Sequence, residues 1–146
     1  MNNRPVTRRG GELPFASLVP GVELGPFAVT VSATANERYW RAAGVDHSAL
    51  REGALYPPIA ANLTILALLE RCAEPMIQTR QRLACRGRLD AGTPLLVTGR
   101  VEARYEKRGR VYVDIDAGVA TAAAPAYAVW TSGVTFTPAA TLGAAS

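Results

Sequence analysis

The sequence predicts an α+β fold in which one antiparallel sheet wraps a single apolar helix. Three observations carry this. From about Ile77 onward, apolar and polar residues alternate with period two through successive segments, the pattern of half-buried antiparallel strands. The stretch YPPIAANLTILALLERC, Tyr56 to Cys72, opens on two prolines and carries no charge until Glu70; it is apolar nearly all round, which predicts a helix buried on all sides. A sheet with one apolar face needs a cover, and this is the only segment apolar enough to supply it.

The elements follow in order. Phe27–Val31 alternates with small residues and reads as a first strand. Thr34 is a candidate N-cap with Glu37 three residues on, a capping-box pattern, so a short helix is expected over about Ala35–Ala43, stopping at Gly44. Val45–Leu55 is polar and irregular. The prolines then sit where a first helical turn tolerates them, and the apolar helix runs from near Pro57 to near Cys72. Ile77–Leu89 is expected to place Arg80, Arg82, Arg86 and Arg88 on one face, with Ile77, Leu83, Cys85 and Leu89 on the other. Leu95–Tyr105 sets Leu95, Val97, Val101, Ala103 and Tyr105 against Thr98, Arg100, Glu102 and Arg104. Lys107-Arg108-Gly109-Arg110 is the hairpin turn, with Gly109 free to take positive φ. Val111–Val119 and Tyr127–Thr137 complete four strands expected to run as a meander. A sheet curled around one buried helix is the hotdog architecture, and pairing with a second copy would hide its edge strands.

At 146 residues and 49% hydrophobic, the chain has the size and the core material of one domain. Residues 1–12 read as a loose basic arm, 13–137 as the domain, and the Ala- and Gly-rich 138–146 as a fraying tail. The uncharged run Gly53–Leu69 is broken by Pro57, Pro58 and Asn62 and falls short of the roughly twenty apolar residues of a membrane span. No charged region followed by an apolar one opens the sequence, so a cytoplasmic protein is expected. Cys72 and Cys85 read as free thiols. One histidine and two distant cysteines build no metal site, and no cofactor-binding glycine fingerprint is present. The net charge is +4, and all sixteen basic residues except Lys107 are arginine. That balance suits either a solvated surface or a phosphate-bearing ligand. Nucleic acid is excluded because the basic residues do not interleave with an aromatic stacking platform.

Three segments resemble the MaoC-like branch of the hotdog superfamily, which includes (R)-specific enoyl-thioester hydratases and 3-hydroxyacyl-thioester dehydratases. They are GVELGPFAVTVSATANERYWRAAG, the YPPIAANLT start of the apolar helix, and VEARYEKRGRVYVDID. The resemblance covers about Gly21 to Thr137. It implies an active site where the loop before the central helix meets that helix, a homodimer or a heterodimer with a homologous subunit, and an acyl thioester of coenzyme A or a carrier protein, or a polyketide-like chain, as ligand. From the residues themselves, no metal and no cofactor are expected. The family's hydratase motif (Gly-Asp, any residue, Asn-Pro, an aliphatic residue, His) falls on GVDHSAL. Gly44 matches, whereas Val45 stands at the aspartate and Leu50 at the histidine. The family's Ile-Ala-His-Gly reads Ile59-Ala60-Ala61-Asn62.

Asp46 and His47, adjacent in that loop, are the candidate acid–base pair, His47 being the only histidine. The amides of Ile59, Ala60 and Ala61 are expected to be free at the helix start to hold a thioester oxygen. Asn62 would donate to a substrate carbonyl or bond a loop carbonyl. Tyr39, Trp40 and Tyr56 are candidate pocket residues that serve equally as packing aromatics. The arginines of the second strand would meet phosphates or an acidic carrier helix, or simply face water. The reaction implied is water addition or loss, or a conjugate-addition cyclisation. The alternatives are a non-catalytic acyl-binding partner subunit and a thioesterase.

Overall fold

The computed structural model describes residues 13–44, 48, 52–72, 74, 76–122 and 125–142. The expected basic arm, residues 1–12, lies outside them. A single 3₁₀ turn, Phe15–Ser17, precedes strand β1, Glu23–Val29, and helix α1, Ala33–Ala43. Helix α2 follows over Pro58–Arg71. Strands β2, Met76–Cys85, β3, Leu95–Lys107, β4, Arg110–Ala120, and β5, Pro125–Pro138, come next, and a turn of helix, α3, spans Ala139–Leu142.

The five strands form one antiparallel sheet in the order β1-β3-β4-β5-β2. The expected meander therefore holds for β3, β4 and β5 only. β2 joins the far side of β5, so β1 and β2 become the two edges. Helix α2 contacts all five strands, which is the wrapped arrangement expected from its composition. Its described residues Ile59, Ala60, Ala61 and Thr64 are buried, but Asn62 is exposed, so burial does not run all round.

Two apolar clusters line the inner face. One gathers Leu55, Ile59, Ala60, Leu89, Val97, Val119, Tyr127 and Val129 around the start of α2. The other gathers Phe15, Leu18, Cys72, Met76, Val101, Val113 and Ile115 around its far end. α3 closes that second end: Ala139 and Leu142 pack on it, and the Ala139 amide donates to Gly109 O at 2.9 Å. Of the segment expected to fray, residues 139–142 form this packed turn, and residues 143–146 lie outside the described residues.

Local chemistry sets the boundaries. Ser32, not Thr34, caps α1; its Oγ accepts from the Ala35 amide at 3.1 Å, so the helix starts two residues early. Gly44 ends it in the left-handed conformation, φ 65°. In the β3–β4 hairpin Arg108 and Gly109 both take positive φ, 53° and 75°, as a two-residue turn between right-twisting strands requires.

Two register shifts overturn the simple alternation. One falls between Gln78 and Arg80, so Ile77 is on the outer face, 43% exposed, while Leu83 faces inward. The other falls between Val101 and Ala103. Beyond it Ala103 and Tyr105 face out, and Arg104 faces in opposite Val113. The Arg104 guanidinium donates from Nη1 to Phe15 O at 2.6 Å and Leu18 O at 3.2 Å and lies 5.4 Å over the Phe15 ring. It pins the 3₁₀ turn over the second cluster, and partial burial lowers its pKa. Glu74 holds the same turn from the other side, accepting from the Phe15 amide at 2.7 Å.

Candidate functional site

The segment leading into α2, residues 52–57, is held from two sides. On one side is α1. Asn36 is buried; its Nδ2 donates to Ala54 O at 2.9 Å, and its Oδ1 accepts from the Tyr56 amide at 2.8 Å. Trp40 Nε1 donates to the same Ala54 carbonyl at 2.9 Å. Asn36 and Trp40 are four residues apart and so share one face of α1. A buried amide would be costly if unpaired; here both ends of the Asn36 side chain are engaged.

On the other side the segment pairs with residues 88–91. Ala54 and Asp90 form an antiparallel bridge, Leu55 N donates to Leu89 O at 2.8 Å, and Ala91 N donates to Gly53 O at 3.0 Å. Arg88 clamps the junction, with Nε on Asp90 Oδ1 at 2.7 Å, Nη1 on Glu52 Oε2 at 3.2 Å and Nη2 on the Glu52 carbonyl. Arg88 is therefore a fastener of this loop and is withdrawn from the arginine face on which the alternation placed it.

Aromatic rings wall the start of α2. Tyr56 stacks on Tyr39, with centroids 6.2 Å apart and planes at 20°, and meets Trp40 edge-on at 5.0 Å and 69°. Tyr39 is 44% exposed, Tyr56 is half-buried and Trp40 is buried, so the cluster grades from core to solvent. The three predicted pocket aromatics are thus brought together. Ile59, Ala60 and Ala61 are buried beside Leu55 and Tyr127. Tyr127, which sequence reasoning did not single out, has its phenol pKa raised chiefly by that burial.

Two expectations need correction. The amides of Ile59 and Ala60 are not free: they donate to Tyr56 O and Pro57 O, each at 3.0 Å. The proline pair winds the first turn tightly, so these donors close back on the segment itself. Asn62 is exposed, so it carries no burial penalty and does not anchor the helix in a core. Asp46 and His47 lie outside the described residues.

Further along α2, a seam too thin for a water molecule separates the helix from β1, β3 and β4. It is lined by Leu24, Phe27, Thr64, Val97, Ile115 and Ala117 among others, and Thr64 satisfies its hydroxyl on Ala60 O at 3.1 Å. Two shallow depressions of about 440 and 460 Å³ share Arg100 and Asp116 on the outer face of the sheet, away from α2. Among the described residues no group of three His, Cys, Asp or Glu side chains could hold a metal ion, and no helix is long and apolar enough to cross a membrane.

No protein-family model matches the chain, and no curated protein matches it. Solved structures do. The chain is similar to the 3R-hydroxyacyl-ACP dehydratase complex HadBC of Mycobacterium tuberculosis, with TM-score 0.68 and 16% identity over 80% of this chain and 96% of that one. A MaoC-like dehydratase from Rhodospirillum rubrum gives TM-score 0.68 and 19% identity over 85% and 97%. The (R)-hydratase PhaJ1 of Pseudomonas aeruginosa gives 0.65 and 15% over 84% and 84%.

Proposed function

With the hotdog fold of MaoC-like dehydratases and (R)-hydratases as premise, we propose that the chain acts on an acyl thioester, or a polyketide-like acyl chain, by acid–base chemistry at the start of α2. The observation that carries this is the two-sided clamp on residues 52–57 beside an aromatic wall. It fixes the approach to α2 and leaves Tyr39 and Asn62 facing solvent there.

The connection bearing Asp46 and His47 starts at Gly44, the end of α1, and finishes at Glu52, where the clamp begins. At about 3.3–3.6 Å per residue, His47 stays within roughly 11 Å of Gly44. That tether supports a place for both side chains at this mouth. In the hydration direction, one of the pair removes a proton from water as its oxygen bonds the β-carbon of the enoyl group, and a proton is delivered to the α-carbon. Asn62 supplies a donor for the thioester oxygen, since the Ile59 and Ala60 amides are engaged. The same groups serve a conjugate-addition cyclisation when the nucleophile is a hydroxyl of the bound chain.

A second reading is favoured by Val45 and Leu50, which stand at the motif's aspartate and histidine. In it the chain binds the acyl group and shapes the tunnel for a catalytic homologue, in the manner of a two-subunit complex.

The test follows loss of the conjugated double bond of a crotonyl thioester with the purified chain alone. Turnover is expected, and His47→Ala is expected to lower it at least about 100-fold. Equal turnover by the variant removes His47 from the chemistry. Turnover only after a homologous subunit is added supports the second reading.

A further inference from the structure

The outer face of the sheet sets side chains in rows that run across β4, β5 and β2. The strand pairings align Tyr112, Val134 and Ile77 in one row, Asp114, Ser132 and Arg80 in the next, and Asp116, Trp130 and Arg82 in a third. The first row is apolar and extends onto β3, where Tyr105 stacks on Tyr112 with ring centroids 5.4 Å apart. Tyr105 is 40% exposed and Ile77 43%; Phe136, two residues along β5 from Val134, is 60% exposed. Large apolar side chains left together in water on one face mark a contact surface.

The other two rows are charged, and both have the same order. In each, β4 supplies an aspartate, β5 an uncharged residue and β2 an arginine. The aspartates and arginines stand two strands, about 10 Å, apart. None of the four makes an ion pair among the described residues. Asp114 accepts from the Tyr105 hydroxyl at 3.2 Å, and the Arg82 guanidinium lies 4.5 Å over the Trp130 ring. Glu102 on β3 accepts from Trp130 Nε1 at 2.9 Å and so adds a carboxylate on the β4 side. Arg100, opposite Asp116 in register on β3, does not reach ion-pair distance from it.

This order is complementary to itself about an axis laid along β5. A second copy given a half-turn about that axis sets β5 against β5, and β4 of each copy against β2 of the other. Asp114 and Asp116 then face Arg80 and Arg82 of the second copy, reciprocally, and Tyr112 faces Ile77. An axis over β4 or β2, or one crossing the strands, sets like charges against each other. Two twisted sheets packed face to face align at about −30° and stand about 10 Å apart, a gap that an arginine from one sheet and an aspartate from the other span together. An unrelated partner needs complementary charge; only a second copy needs charge that reverses sign across one strand.

We propose that the outer face along β4, β5 and β2 is an interface with a second copy of this chain, held by the apolar row and by reciprocal aspartate–arginine pairs. The contact uses side chains of the face and leaves the backbone edges at β1 and β2 out of it, so it is separate from any pairing of edges.

Sedimentation velocity of the full chain and two charge variants tests this. Arg80→Glu with Arg82→Glu makes both sides of β5 acidic; Asp114→Arg with Asp116→Arg makes both sides basic. At one concentration the wild type is expected to have about twice the mass of either variant, with the difference shrinking as salt rises. The equimolar mixture of the variants is expected to recover the wild-type mass, because the introduced arginines then face the introduced glutamates while native aspartates face native arginines. Mixing repairs a contact between copies and does not repair a folding defect. Should Asp114→Arg unfold the chain, Asp116→Arg and Arg82→Glu serve as the matched pair. A wild-type mass equalled by either variant, or a loss that the mixture fails to restore, overturns the proposal and leaves this face to another partner or to water.

Discussion

Two asparagines reverse the roles that sequence suggested. Asn62 lies in the apolar run and drew attention for that reason, yet it is exposed. Asn36 lies in a polar helix and is the buried one, bonded to Ala54 and Tyr56. Asn36→Ala is expected to cost about 1–3 kcal/mol by leaving the Tyr56 amide without its acceptor, whereas Asn62→Ala should stay within about 0.5 kcal/mol; denaturant unfolding of the two variants measures both. The signal for Asn36 was available in its spacing from Trp40, but no spacing rule says which face of a short helix turns inward. The cysteines divide in the same way. Cys85 is exposed, while burial, with Glu74 adding to it, pushes the Cys72 thiol up to about 11. Mass spectrometry after brief alkylation near pH 8 should show one adduct, on Cys85. Because the folded chain holds the Cys72 proton longer than the unfolded chain does, stability should fall as pH rises from about 9 towards 11.

The strands were legible as elements but not as faces. Period two identifies each of them, yet a bulge adds one residue and inverts everything beyond it. Leu95 to Tyr105 reads as an unbroken alternation, and nothing in it marks the shift at Glu102. The consequence is Arg104, which the alternation turns to solvent and the structure turns inward to hold Phe15 and Leu18. Arg104→Met keeps the bulk and removes the donors. It should destabilise the chain by about 1–3 kcal/mol and raise amide exchange in residues 14–18 ahead of global unfolding, which hydrogen-exchange mass spectrometry resolves. Helix α1 shifted for a different reason. Ser32 and Thr34 are both good caps by residue type, and the helix starts from the earlier one.

The enclosure of α2 was legible because it depends on bulk composition: an uncharged run needs a cover, and a one-faced sheet needs something to cover. The strand order was not, since alternation carries no information about which edge β2 joins. The pairing leaves β1 and β2 as the two edges of the sheet, which alternation alone does not reveal. Tyr39, Trp40 and Tyr56 pack together because Asn36 and Trp40 bond the 52–57 segment to α1, while the other side of that segment pairs with residues 88–91, more than thirty positions away and beyond the reach of any local pattern. The central claim is that an acyl group enters at the leading turn of a wrapped helix. Amide shift mapping of the isotope-labelled chain with a crotonyl-pantetheine thioether tests it most directly. Shifts concentrated in residues 36–40 and 45–62 are predicted; shifts confined to the outer face of the sheet, or none at saturating ligand, would contradict it.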